Sequence, residues 1–265
     1  MSADLERVIQ WYPGHMVRAM RKIGEYLKLI DVVVEVVDAR VPKSGRNPRL
    51  DELAARRDRV IVLNRADLAD PQTTKEWVAH FAALGIEAVP TDGRAQPSVA
   101  RVATAMRNLS EGNRGTARAL IVGIPNAGKS SIINGLLKRS AAKTENRAGV
   151  TRQLQWFRLK PNIELMDTPG ILVPKIATKS AQWKLAITGA VPRTHYEPEE
   201  VANAFHKWAV AQNPNTSAPD LETFASTRFA RRGGEVDYHN AAQSYIRALN
   251  EGTFGRFSFE SPHDE

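Results

Sequence analysis

Gly123-Ile-Pro-Asn-Ala-Gly-Lys-Ser130 decides the fold, because it fits the phosphate-binding pattern G-x-x-x-x-G-K-[ST] at every fixed position. A strand-like apolar run over 119–122 precedes it, and a helix-like run over 131–137 follows it. A strand, a glycine-rich loop and a helix in this order distinguish the motif from a chance match. The sequence therefore predicts a loop whose backbone N–H groups and helix N-terminus face a phosphate. The alternative is a glycine-rich turn that binds nothing.

The chemistry of the phosphate site follows from the side chains around it. Lys129 would reach the outer phosphates, and the Ser130 hydroxyl would hold Mg²⁺. Asp167-Thr-Pro-Gly170 ends a strand-like run downstream, where the acid can hold Mg²⁺ through water and the Gly170 amide can meet a terminal phosphate. Asp167 and Ser130 are thus the predicted Mg²⁺ ligands. The predicted nucleotide contacts are Pro125, Asn126, Ala127, Gly128, Lys129, Ser130, Ser131 and Gly170.

Asn64-Arg-Ala-Asp67 resembles the guanine-reading N-K-x-D box. The Asp67 carboxylate would accept two hydrogen bonds from guanine, and adenine cannot supply that pair of donors. Arg65 stands where lysine is usual, but an arginine stem can still cover the face of the base. Thr91 and Asp92 are candidates for the loop beside the base, although the usual Ser-Ala element is not cleanly present. With the phosphate loop, the box favours GTP over ATP; taken alone, it could be a helix cap or a turn.

Strand-like and helix-like segments alternate through the first part of the chain. Short apolar runs predict six strands, over 31–38, 59–64, 86–90, 119–122, 153–159 and 163–167. Helical stretches lie near 73–84 and 97–109. This alternation predicts an α/β fold with a doubly wound, mainly parallel sheet, which binds ligands at the carboxyl ends of its strands. Chemically suitable residues fall at or just after such ends, namely Asp38, Asn64, Thr91, Gly123 and Asp167.

The pattern changes after Gly170, where helical spacing replaces the alternation. Helices are predicted over 180–188, 198–211 and 238–249. The predicted domains are therefore residues 1–174, a nucleotide-binding α/β domain, and residues 175–265, a small all-α domain. The last of these helices would place on one face Tyr238, Ala242, Tyr245 and Leu249.

Composition limits the partners and the compartment. The chain has 265 residues, of which 42% are hydrophobic, and a net charge of +8, which favours an anionic partner and nucleic acid first. It has no apolar run of bilayer length. The absence of cysteine excludes disulfides, thiolate catalysis and cysteine-ligated metals. The first residues lack a secretory apolar segment and carry acids, which speaks against a transit peptide, so we expect a cytoplasmic protein without a membrane partner.

Basic side chains cluster in three places along the chain. They are Arg18, Arg21, Lys22 and Lys28, then Lys175, Lys179 and Lys184, and finally Arg228, Arg231 and Arg232. If these clusters share a face, they form a surface that contacts the backbone of RNA. The alternative is a solvated helical face, which is the usual role of charge runs.

The order of the motifs is unusual, because the guanine box precedes the phosphate loop. In an ordinary GTPase the loop comes first, so the order predicts a circularly permuted, Ras-like P-loop GTPase domain, a rearrangement that neighbouring termini make tolerable. The segment over 147–152 lies between the phosphate loop and Asp167. It resembles a first switch whose threonine, Thr151, would bind Mg²⁺ only with a triphosphate. The alternative is a flexible basic loop.

Six motifs occur together in one order: Trp11-Tyr-Pro-Gly-His-Met16, Asp38-Ala-Arg-Val-Pro42, the guanine box, the phosphate loop, Asp167-Thr-Pro-Gly-Ile171 and a closing Gly252–Glu260. With them the chain resembles the RbgA/YlqF family, ribosome biogenesis GTPase A, over nearly its whole length. The resemblance implies a bacterial, ribosome-associated GTPase that uses GTP and GDP with Mg²⁺ and is a monomer when free. It would bind an immature large ribosomal subunit and its rRNA late in assembly. The sequence gives no chemical role for Asp38-Ala-Arg40.

The resemblance also implies catalytic residues. Ile171 follows Asp-Thr-Pro-Gly where a Ras-like protein carries the glutamine that orients water, and an isoleucine cannot do so. The family points to His15 instead, whose imidazole could position or deprotonate the water. It also points to Asn126 as a K⁺ ligand beside the phosphates. From the residues alone, His15 could be a capping or packing histidine and Asn126 a turn residue.

The leading hypothesis is a K⁺-assisted GTPase, stimulated by the ribosome, whose hydrolysis times its release from the ribosomal particle. One alternative is a binding module in which GTP sets an RNA-binding shape and hydrolysis is incidental. A tRNA-modification GTPase is another, against which the order of the motifs and the closing segment argue. The guanine box disfavours a P-loop kinase.

Overall fold

The computed structural model describes residues 14–55, 57–109, 116–139, 155–159, 162–171, 176, 178–229 and 236–264. These residues form two compact units, one built on a β-sheet and one helical. Of the helices in the described ranges, none combines the length and apolar character needed to cross a bilayer.

In the ranges that the structure describes, the sheet unit is built on six strands. In chain order they are β1 (Val32–Asp38), β2 (Asp58–Asn64), β3 (Glu87–Thr91), β4 (Ala117–Val122), β5 (Gln155–Leu159) and β6 (Ile163–Asp167). Across the sheet the order is β3-β2-β1-β4-β6-β5, and every pair is parallel except β5 with β6. Every residue of the valine-rich β1 is buried, as expected for a central strand covered on both faces. The predicted α/β fold with a mainly parallel sheet is confirmed.

The helices of the sheet unit are α1 (Gly14–Tyr26), α2 (Pro48–Ala54), α3 (Pro71–Ala83), α4 (Gln96–Asn108) and α5 (Lys129–Arg139). The buried side chains of α1 and the turn after it recur at helical spacing, at Met16, Met20, Ile23 and Leu27. Asp70 begins α3 as its N-cap, because its carboxylate accepts the Thr73 N–H at 2.7 Å. The sequence did not indicate α2, which is too short to show a periodic apolar pattern.

The helical unit contains α6 (Lys179–Ile187), α7 (Pro198–Gln212), α8 (Leu221–Arg228) and α9 (Tyr238–Asn250). Its core is aromatic: the Tyr245 ring lies 5.2 Å from Phe224 and 4.8 Å from Phe254, centroid to centroid. The Tyr245 hydroxyl donates to the Pro219 carbonyl oxygen at 2.6 Å, so this buried phenol is satisfied. The face predicted for α9 is wrong at Tyr238, which lies at the first residue of the helix and is 44% exposed.

The end of the chain returns to the sheet unit, which begins again at Ser258 after the helical unit ends at Phe257. This differs from the predicted boundaries, which assigned all of 175–265 to the helical domain. Glu260 explains the difference, since its carboxylate accepts the backbone N–H groups of Lys43 at 2.8 Å and Ser44 at 3.0 Å. The Glu260 carbonyl oxygen accepts the indole N–H of Trp77 at 3.1 Å. The closing segment thus supports the loop that follows β1.

Candidate nucleotide site

The predicted site residues gather at one edge of the sheet. β1, β2, β3 and β6 end at Asp38, Asn64, Thr91 and Asp167, and Gly123 follows β4 directly. The strand register sets Asn64 beside both Asp38 and Thr91, and Asp167 beside Ile121. The prediction that these strand ends form one edge is therefore confirmed, and it is the edge where doubly wound sheets bind ligands.

The phosphate loop connects β4 to α5 through backbone conformations that favour glycine and asparagine. Gly128 has φ +97° and Asn126 has φ +58°, and asparagine tolerates this left-handed region better than most side chains. A Cβ at Gly128 would lie 2.0 Å from Nδ2 of Asn64. Position 128, the second glycine of the motif, therefore has to be glycine, both because its φ angle is positive and because the Asn64 side chain approaches so closely.

Lys129 is folded into the phosphate loop. Its Nζ donates to the carbonyl oxygens of Gly123 and Ile124, each at 3.2 Å, and the residue is only 8% exposed. Burial lowers the pKa of Lys129 to about 8, against the attraction of the Asp167 carboxylate, which acts to raise it. Because burial disfavours the ammonium form, an anion in the loop would stabilise the charge on Lys129.

Asn64 joins three segments of the site through one buried amide. Its Nδ2 donates to the Ala127 carbonyl oxygen at 2.8 Å, in the phosphate loop. Its Oδ1 accepts the Gly93 N–H at 2.9 Å, in the loop after β3. The guanine box is thereby tied to the phosphate loop and to the loop predicted to lie beside the base.

Arg65 extends the guanine box toward the phosphate loop. It has φ +57°, and its Nη2 donates to the Asn126 carbonyl oxygen at 3.1 Å. Its Nη1 lies 3.5 Å from Oδ2 of Asp38. Asp38 in turn accepts hydrogen bonds from Arg40 at 3.0 Å (N), 2.9 Å (Nε) and 2.8 Å (Nη2). These contacts link Asp38-Ala-Arg40 to the guanine box and, through Arg65, to the phosphate loop. The sequence alone did not indicate this role.

Asp67 has an ion-pair partner that the sequence did not indicate. Nη2 of Arg94 donates to Oδ2 of Asp67 at 2.7 Å, and Nε of Arg94 lies 3.4 Å from Oδ1 of Asp92. The Asp67 side chain is 27% exposed, so solvent and ligands can still reach the carboxylate. Thr91 is buried, and its hydroxyl donates to the Val89 carbonyl oxygen at 2.9 Å. Among these residues, Asp67 and Asp92 present carboxylates at the surface and Thr91 does not present its hydroxyl.

The segment after β6 packs against the phosphate loop. The Ile171 N–H donates to the Gly123 carbonyl oxygen at 3.1 Å, and the Ile171 side chain is buried. A Cβ at Gly170 would lie 2.7 Å from both Cα and N of Pro125, so the chain approaches the loop too closely for a larger residue. Asp167 is 1% exposed at the end of β6. Its carboxylate and the Ser130 hydroxyl are hard oxygen donors of the type that Mg²⁺ prefers.

Part of the predicted site lies outside the described residues. This holds for Thr151 and the whole predicted first switch, and for Lys175, Arg231 and Arg232 among the basic residues. The backbone of His15 is in the first turn of α1, and the structure does not describe its side chain.

Comparisons with known proteins agree with this geometry. A family of 50S ribosome-binding GTPases matches residues 118–207. Ribosome biogenesis GTPase A of Bacillus cereus is 38% identical, over 97% of this chain and 95% of that protein. The protein of the same name from Thermotoga maritima is 35% identical, over 97% and 95%. Among solved structures, GNP-bound YlqF from T. maritima has a TM-score of 0.71 at 31% identity, and the match covers 94% of this chain and 100% of that one.

Proposed function

Because the chain belongs to the ribosome biogenesis GTPase A family, we propose that it hydrolyses GTP at this edge of the sheet during late maturation of the large ribosomal subunit. The observation that carries the proposal is the Asn64 bridge, which holds the guanine box, the phosphate loop and the loop after β3 together. A nucleotide across these segments is held by its phosphates and by its base. Calorimetry tests this: we expect heat with GTP and GDP, and tight binding of ATP alone would refute it.

Guanine specificity belongs to Asp67. A carboxylate accepts the N1–H and N2–H₂ donors of guanine together, and adenine would leave the charge without that pair. Arg65 and Asp92 line the base subsite in this proposal, whereas the buried Thr91 does not offer its hydroxyl to the base. Asp67→Asn should weaken GDP binding and improve xanthosine diphosphate binding, because an amide donor meets the extra carbonyl of xanthine. Unchanged base preference in this variant would remove Asp67 from the base subsite.

Magnesium is held from two sides of the phosphate loop. Ser130 supplies a hydroxyl at the start of α5, and Asp167 supplies a carboxylate at the end of β6. Thr151 completes the set when a triphosphate is bound. The ion neutralises charge that develops on the phosphates during hydrolysis. Ser130→Ala should therefore weaken GTP binding in the presence of Mg²⁺ and change it little in the presence of a chelator.

The attacking water needs a polar side chain that Ile171 does not offer. We assign this role to His15, in the first turn of α1. His15→Ala should slow hydrolysis by about 100-fold or more, the usual contribution of a general base, while GTP affinity changes little. His195→Ala is the matched control, because His195 is exposed in the helical unit. Equal turnover in the two variants would exclude His15 from the chemistry.

Potassium assistance is assigned to the Asn126 side chain. Asn126→Gly tests it, because glycine keeps the left-handed backbone and removes the side chain that carries the amide. Hydrolysis by the unmodified protein should be faster in K⁺ than in Na⁺, and the variant should lose this difference. Equal rates in K⁺ and Na⁺ buffers for the unmodified protein would contradict the assignment.

In this proposal the partner is the immature large ribosomal subunit with its rRNA. The protein acts in the cytoplasm and is a monomer when free. A helical domain from about residue 175 and the start of α1 would contact RNA. Of the three basic clusters in the sequence, the residues that the structure describes as exposed are Arg18, Arg21, Lys22, Lys28, Lys179 and Arg228. Co-sedimentation with large-subunit particles should be stronger with a non-hydrolysable GTP analogue than with GDP, and should weaken steeply with salt.

Hydrolysis separates this proposal from its alternatives. Large-subunit particles should stimulate GTP turnover strongly, and tRNA should not. Nucleotide-dependent binding without stimulated turnover would favour an RNA-binding module gated by GTP. Stimulation by tRNA would favour a tRNA-modification GTPase. We interpret the order of the guanine box and the phosphate loop as a circular permutation of the GTPase domain, which does not affect these outcomes.

A further inference from the structure

Asp38 and Arg40 form a buried ion pair at the end of β1. The side chains are 3% and 1% exposed, and the guanidinium meets the carboxylate through both Nε and Nη2. A fork-shaped pair of this kind has a fixed geometry. The neighbouring Ala39 N–H donates to the Asn64 carbonyl oxygen at 2.7 Å, which attaches the segment to the guanine box.

The same segment is held from its other side by the end of the chain. The Phe259 N–H donates to the Arg40 carbonyl oxygen at 2.8 Å, and the Phe259 ring lies 5.9 Å from the Arg40 guanidinium. Because it is packed between β2 and the closing segment, the ion pair is a rigid part of the fold. A buried, fixed acceptor can position a more exposed donor.

Arg65 is that donor. Its side chain is 30% exposed, and its guanidinium spans the distance between Oδ2 of Asp38 and the backbone carbonyl of Asn126. The planar guanidinium reaches two acceptors through two terminal nitrogens, which the single nitrogen of lysine does not reproduce. This accounts for an arginine where the guanine box usually carries lysine.

We propose that the Asp38–Arg40 pair positions Arg65, and through Arg65 holds the phosphate loop at Asn126 in its nucleotide-binding shape. Asp38 and Arg40 are then positioning residues, and Arg65 is the contact that transmits their effect to the loop.

The ionisation state of Asp38 is consistent with this role. Burial acts to raise the pKa of Asp38, but the charges of Arg40 and Arg65 and the hydrogen bonds from Arg40 outweigh it and lower the pKa below its ordinary value. Asp38 therefore stays charged at neutral pH. A charged acceptor forms stronger hydrogen bonds than a neutral one.

A double-mutant cycle tests the proposal. Its readout is GDP affinity, so this test rests on the proposed function. Arg65→Met keeps the apolar stem and should weaken GDP binding about tenfold, the usual effect of losing hydrogen bonds to a charged group. Asp38→Asn should weaken it about fivefold in the unmodified background and less than about twofold when Arg65 is already methionine. Arg65→Lys should restore part of the loss. Equal effects of Asp38→Asn in both backgrounds would overturn the proposal.

Amide hydrogen exchange over 123–129, measured without nucleotide, supplies a second readout. Arg65→Met leaves the Asp38–Arg40 pair intact and should speed exchange in the phosphate loop. Arg101→Met is the matched control, because Nη2 of Arg101 likewise donates to a backbone carbonyl, that of Pro90, at 2.8 Å. Faster exchange only in the Arg65 variant supports the proposal even if Asp38→Asn fails to fold. Equal exchange in both variants overturns it, and failure of the unmodified protein to bind GDP would overturn the proposed function instead.

Discussion

Replacing Asn64 with alanine tests the bridge on which the nucleotide site depends. The change removes two buried hydrogen bonds, to the Ala127 carbonyl oxygen at 2.8 Å and from the Gly93 N–H at 2.9 Å. Asn64 is 3% exposed, so water does not readily replace the lost amide. Each backbone group left without a partner costs about 1–3 kcal/mol. We therefore expect the free energy of unfolding to fall by about 3 kcal/mol, because both groups lose their partner together.

Urea unfolding followed by circular dichroism measures this loss. The matched control is Asn108→Ala, since Asn108 is exposed at the end of α4 in the same unit and its replacement should change stability by less than about 0.5 kcal/mol. GDP affinity should fall in Asn64→Ala and stay unchanged in the control. A loss of stability below about 1 kcal/mol would show that Asn64 does not bridge the segments in solution, and would refute the reasoning.

Three further predictions concern charged groups. Burial lowers the pKa of Lys129 to about 8 from 10.5, so between these pH values the unfolded chain holds a proton that the folded protein lacks. The free energy of unfolding should therefore rise with pH across this window. Lys129→Met should abolish the rise in nucleotide-free protein. Arg94→Ala frees the Asp67 carboxylate and should improve GDP affinity about two- to fivefold, the small change in free energy that an exposed ion pair contributes. Weaker GDP binding in this variant would mean that Arg94 helps to hold the base. Glu260→Ala should cost about 2 kcal/mol in urea unfolding because two backbone N–H groups lose a charged acceptor, whereas Glu260→Gln should cost less; no difference between the two variants would contradict this.

Much of the sheet and the phosphate loop could be predicted from the sequence because their signals are local. The glycines and lysine of the loop are fixed by backbone geometry and phosphate chemistry, and the apolar runs before Asp38 and Asn64 mark buried strands. The carboxyl ends of parallel strands share an edge, which is why five separate residues could be placed together.

The contacts that complete the site could not be predicted in this way. The Arg94–Asp67 and Arg65–Asp38 pairs depend on which strands are neighbours and on how the loops turn, and neither has a periodic signal. The short helices α2 and α8 span two turns each, too few for an apolar repeat to stand out. Glu260 lies 217 residues from its partner Lys43, so nothing nearby in the sequence reveals the contact.

The separation between Glu260 and Lys43 has a consequence for synthesis of the protein. The strands that carry the guanine box and the phosphate loop leave the translating ribosome well before Glu260 is made. During that interval the loop after β1 lacks its carboxylate acceptor, and Arg40 lacks its contact with Phe259. Since domains tend to fold in the order in which they are synthesised, we expect a stage in which the strands of the nascent sheet unit have emerged but its binding edge still lacks the contacts made by the closing segment.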